Sequence, residues 1–221
     1  MSYSNLIRLG ALAAMLSGVL FLARPFIDLA GFLFVYSSAV GSALLVVAVV
    51  AALLLVPVGM VGFHVLQRQS YGRKGRAGFW LAVVGPLVML VGGVVFFTLG
   101  ESGDFLQATP PLVWVAFGVL GLVGGFASMV VGFWLYGVAT LHARVLPRWC
   151  GVAFIAALPV ALASGILFPL WLSEKIRLVY FPPWDLMFMV FGLVWLALGY
   201  ALWRRREAPS GPRTARTGAP R

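Results

Sequence analysis

Ionisable chemistry is scarce in this sequence. Of 221 residues only 10% are charged, six are acidic and two are histidine, against about 25% charged in a soluble domain. So few charges cannot solvate the surface of a water-soluble globule of this length. They also leave little for general acid–base work. A single cysteine, Cys150, excludes an internal disulfide and any metal cluster built on several thiolates. A lone thiol among apolar neighbours packs as a small hydrophobe. No HExxH, GxSxG, P-loop or dinucleotide-binding pattern occurs. Charge is also missing from the centre of every long apolar run, where an ionisable group would be the default functional residue. That absence argues against an ion-coupled pump, an intramembrane protease and a metalloenzyme.

What is present is apolar. Hydrophobic residues make up 62% of the chain, and the mean hydropathy is +1.02. They fall into six runs, at about 6–23, 38–66, 77–99, 112–139, 149–172 and 184–203, each near the roughly 20 residues that cross a bilayer. The expected fold is therefore all-α, an integral membrane bundle of six transmembrane helices over 1–203. A tail at 204–221, rich in Pro, Gly and Arg, reads as disordered. The first run has a rival reading as a signal peptide, because Arg8 precedes a moderate apolar core. Its small face of Gly10, Ala13 and Ser17 favours a retained helix. Arg24, Pro25 and Asp28 suggest that residues 24–36 form an interfacial connection. Pro57, Pro86 and Pro159, inside later runs, predict bends.

Small residues recur at helical spacing. Gly118, Gly121, Gly125, Ser128 and Gly132 make one strip on the fourth run, and Gly78, Ala82, Gly85 and Gly92 a matching strip on the third. In lipid, where apolar contact alone does not drive helices together, such strips let backbones approach closely. The third and fourth runs are expected to pack strip to strip, with the fourth as the central helix. A comparable strip, Gly41, Ala48, Ala52, Gly59 and Gly62, lies on the second run.

The net charge of +10 would suit nucleic acid, but the positive residues sit in turns and the tail between apolar runs. Membrane topology explains them more simply. With a cytoplasmic amino terminus, thirteen of the sixteen Lys and Arg fall inside and only Arg24, Lys175 and Arg177 outside. Both termini are then cytoplasmic and the membrane is the cell (inner) membrane. Tryptophans agree: Trp80, Trp149 and Trp203 fall at inner ends, Trp114, Trp171 and Trp184 at outer ends, and Trp195 mid-span.

Three groups of residues carry functional hypotheses. His64 and His142, each near the inner end of a different run, have the chemistry to ligate a haem iron or another metal; as neighbours of basic turns they are equally ordinary interfacial residues. At the outer rim Asp28, Glu101, Asp104, Glu174 and Asp185 can face Arg24, Lys175 and Arg177, either as a site or as solvated helix ends. The basic turn RQSYGRKGR and the tail suit anionic lipids at the cytoplasmic face, each cation contributing roughly 1 kcal/mol.

The segments FHVLQRQSYGRKGRAGFW, YGVATLHARVLPRWCGVAF and FGLVWLALGYALWRRRE resemble a pattern in bacterial multi-pass membrane proteins of unknown function. The resemblance implies a six-span topology and carries no site residues. The expectation is a non-enzymatic structural or interaction bundle, without a cofactor, whose partners are the bilayer and a membrane protein or a second copy. The alternatives are a small-solute or lipid transporter, with the prolines as hinges, and a haem- or quinone-linked redox subunit using His64 and His142.

Overall fold

Lipid offers peptide groups no hydrogen-bond partner, so a chain this apolar satisfies its backbone within each segment, as helix. The computed structural model describes residues 3–33, 38–101, 111–173 and 183–207; these are helical apart from two short turns, and no strand occurs among them. The helices are α1 Tyr3–Leu33, α2 Ser38–Gln67, α3 Arg73–Glu101, α4 Pro111–Ala143, α5 Arg148–Ser173 and α6 Pro183–Glu207. Five contain stretches long and apolar enough to cross a membrane: Ser4–Ile27, Ala43–Gln67, Arg73–Val95, Ala116–Ala143 and Asp185–Arg205. In α5 the described apolar stretch is Arg148–Ser164.

Each helix packs on the next in sequence, and α6 closes on α1, so the six stand in a ring in chain order. The fourth run is therefore not the central helix. It packs chiefly on α3 and α5, and Phe117, Leu120 and Val123 on its far side are exposed, Leu120 to 70%. The axis is filled by side chains instead. Trp195 of α6 stacks on Phe133 of α4, with ring centroids 5.5 Å apart, and on Phe191, at 6.0 Å. Phe154 of α5 meets Trp195 edge-on at 6.1 Å and Phe63 of α2 at 5.1 Å. These rings are buried, whereas Leu44, Val47, Val91, Val94 and Leu193 point outward. An apolar belt outside and an aromatic plug inside are what a helix ring needs when both its surroundings and its axis exclude water.

Two boundaries differ from the sequence reading. The first helix does not stop near residue 23 but runs unbroken through Pro25 to Leu33. Pro25 removes one amide donor without ending the helix, and Arg24 beside it lies against Asp185 and Phe188 of α6. At the other end α6 continues to Glu207, so residues 204–207 are helical rather than part of a disordered tail. The acidic loop at 102–110, the connection at 174–182 and the tail from 208 lie outside the described residues.

Candidate functional site

Backbone contact is closest between α3 and α4. A methyl group added to Gly125 would lie 2.5 Å from the amide nitrogen of Met89, and one on Gly121 would lie 2.6 Å from the Cα of Gly92. Gly85 backs onto Met129 and the Gly125 carbonyl, Gly78 onto Tyr136, and Gly132 onto Ala82. Numbers rise on one helix as they fall on the other, so the pair is antiparallel. The Ser128 hydroxyl donates across it to the Leu81 carbonyl, at 3.1 Å. Gly118 is buried further along the same helix.

α1 has two such contacts, not one. Gly10 meets Gly62 and Ala14 meets Gly59 on α2, where the Ser17 hydroxyl also donates to the Ala52 carbonyl at 2.9 Å. On the other side Gly18 faces Gly192 and Leu196, and Gly199 faces Ala11 and Met15, on α6. Gly41, which the sequence places on the α2 strip, has nothing against it.

The two histidines are held by different partners. His64 stacks on Phe79 of α3, with centroids 4.1 Å apart, and its Nδ1 accepts a hydrogen bond from the Tyr71 hydroxyl. Burial pushes the Tyr71 phenol up to about 12, with the Arg76 guanidinium pulling the other way. Tyr71 thus remains a donor at any physiological pH. His142 is exposed on α4, and its Nδ1–H donates to the Val138 carbonyl of its own helix at 2.7 Å. Among the described residues no group of three or more His, Cys, Asp or Glu is arranged to hold a metal. Tyr71→Phe is expected to cost about 1 kcal/mol by leaving the His64 acceptor without its donor. Wild-type stability itself falls between the free phenol value of 10 and about 12, where ionisation of the buried phenol is penalised, and the variant escapes that fall, so its disadvantage shrinks at high pH. Comparing wild-type and variant unfolding at neutral and high pH checks both effects.

At the opposite end one contact between rim residues is described. Arg24 Nε of α1 lies 3.8 Å from Asp185 Oδ1, in the first turn of α6, with side-chain exposures of 21% and 2%. The Arg24 guanidinium sits 4.0 Å from the centre of the Phe188 ring. The side chains of Asp28, Glu101, Asp104, Glu174, Lys175 and Arg177 lie outside the described residues.

Sequence reasoning missed a set of polar atoms facing the interior. The Gln67 amide, the Tyr136 hydroxyl and the Trp195 indole nitrogen are fully buried without a hydrogen-bond partner among the described residues. Their signal was only positional: Gln67 follows Val56, Met60 and Phe63 on one face of α2, all of them buried. A buried amide without partners is expensive. Gln67→Leu is therefore expected to raise stability by about 1–3 kcal/mol, read as the midpoint shift in denaturant. A loss of similar size would mean that the amide is satisfied in the folded protein.

The arrangement offers hydrogen bonding and charge, with one described hydroxyl–imidazole pair, Tyr71 on His64, and no group of three or more metal-ligating side chains among the described residues. Comparison with known proteins finds no matching family model, no matching curated protein and no matching solved structure.

Proposed function

We propose that this apolar helical bundle is a multi-pass protein of the cell (inner) membrane, crossing it six times with both termini in the cytoplasm. It works without catalysis, by packing against another membrane protein or a second copy of itself. The observation that carries this reading is the filled axis. Trp195, Phe133, Phe154 and Phe63 interlock where a translocation path or a reaction cleft would run. The close glycine contacts stiffen the helices around them. Positive residues support the orientation: Arg8 lies over Trp203, beside the α6 terminus that carries Arg204 and Arg205, and the two described turns carry Arg68, Arg144 and Arg148 at or beside them. Anionic lipids are the partners this end suits.

The test is purification in mild detergent, with the particle mass measured and co-purifying proteins, lipids and pigments identified by mass spectrometry. A stoichiometric membrane-protein partner or a defined homo-oligomer is expected. A monomer that carries a Soret-absorbing pigment would replace this reading with a redox role, and solute flux in vesicles would replace it with transport. Cysteines placed at 73 and 216 are expected to label from the same face, and opposite faces would overturn the topology.

A further inference from the structure

The turn between α4 and α5 forms a cleft of about 290 Å³ lined by Leu141, His142, Arg144 and Arg148. We propose that this cleft binds a phosphate group at the membrane surface, as the headgroup of an anionic phospholipid. The inference rests on the cytoplasmic placement of this turn proposed above.

Three observations converge on it. Guanidinium groups present paired N–H donors that match phosphate oxygens, and two of them line one small cleft with an imidazole beside them. Neither Arg144 nor Arg148 pairs with a carboxylate among the described residues. The position is also right. The cleft lies at the first turn of α5, the positive end of its dipole, next to Trp149, which is 46% exposed and suits the headgroup layer. Leu141 supplies an apolar wall for the glycerol backbone.

The third observation is the backbone of Arg144, whose φ of 51° puts it in the left-handed region just after α4 ends. Glycine is the residue that ends helices this way at no steric cost. An arginine there holds a cation in the cleft at the expense of local strain, which is the pattern of a functional position. Replacing Arg144 by glycine therefore separates the two roles, since the backbone relaxes while the guanidinium is lost.

The experiment uses full-length protein in nanodiscs of mixed phosphatidylglycerol and phosphatidylcholine, with retained lipid read by native mass spectrometry after detergent release. Incorporation into the discs is scored separately, so failure of the membrane reading is seen as failure to incorporate. Wild type is expected to retain phosphatidylglycerol selectively. R144G is expected to unfold at a higher temperature yet lose selective retention about fivefold or more, the weight of one surface cation. R144K/R148K keeps both charges but loses the paired donors, and is expected to lose selectivity while R73K/R76K does not. Equal effects of the two lysine pairs would reduce the cleft to general surface charge and overturn the proposal. Competition by inorganic phosphate at concentrations where glycerol without phosphate has no effect would keep the phosphate site and assign it to a soluble ligand. No selective retention by wild type and no competition by phosphate would end the proposal.

Discussion

Arg24→Leu is expected to destabilise the bundle by about 3–5 kcal/mol, the cost of leaving a buried carboxylate without its cation. Asp185 has only 2% of its side chain exposed, and Arg24 lies 3.8 Å away on the neighbouring helix. The reverse change is expected to cost less. With Asp185→Leu the guanidinium keeps its place over the Phe188 ring, at 4.0 Å, and its 21% exposure lets it reach water or headgroups. The double variant R24L/D185L is expected to be more stable than R24L alone, because no charge remains to be neutralised. Denaturant unfolding of the four proteins in the same micelle reads the coupling. If the double variant is as unstable as the sum of the two singles, the ion pair does not hold α1 to α6.

Gly125→Leu is expected to be comparably severe, and Gly124→Leu nearly silent. The two positions are adjacent in sequence and identical in composition and hydropathy. A side chain on Gly125 would enter the backbone of α3 at Met89 and the Gly85 carbonyl, whereas nothing stands within 4 Å of a methyl group at Gly124. Backbone atoms cannot rotate aside as a side-chain tip does, so α3 and α4 must separate along several turns. Overpacking in a tight site costs about 1–3 kcal/mol and occasionally more; here the upper end is expected, because the first added carbon already meets main chain. Gly124→Leu also controls for helix propensity, since the gain over glycine applies equally to both. Equal destabilisation by the two variants would mean that the α3–α4 contact is not the glycine-to-glycine approach seen here.

These two sites differ in how far the sequence foretells them. The glycine strip on the fourth run is visible as a spacing of three and four, because helical geometry turns that spacing into one face. The partner of a strip is not visible. Gly10, Gly18, Gly59, Gly85 and Gly125 look alike locally, and only the assembled ring shows which of them meet. For α1 the spacing conceals two contacts, one with α2 and one with α6. Arg24 and Asp185 stand far apart in the chain, and their pairing depends on the closure of α6 onto α1. The buried Gln67 carries only the positional signal of the face it shares with Val56, Met60 and Phe63, and a glutamine at the inner end of an apolar run otherwise reads as interfacial.

What the sequence determined alone is the solvent and the secondary structure. Uncharged runs of this length, in a chain with six acidic residues and 62% apolar ones, form helices in an apolar medium, because lipid cannot satisfy a peptide group and the runs are longer than barrel strands of about 10 residues. The tertiary structure decided the ring, the aromatic plug on its axis and the absence of a central helix among those described. Periodicity selects a face of a helix but not its neighbour. In a bundle whose outside is as apolar as its inside, that choice falls to shape, through backbone approach at glycine and the volume of rings such as Trp195 and Phe133, which no local pattern encodes.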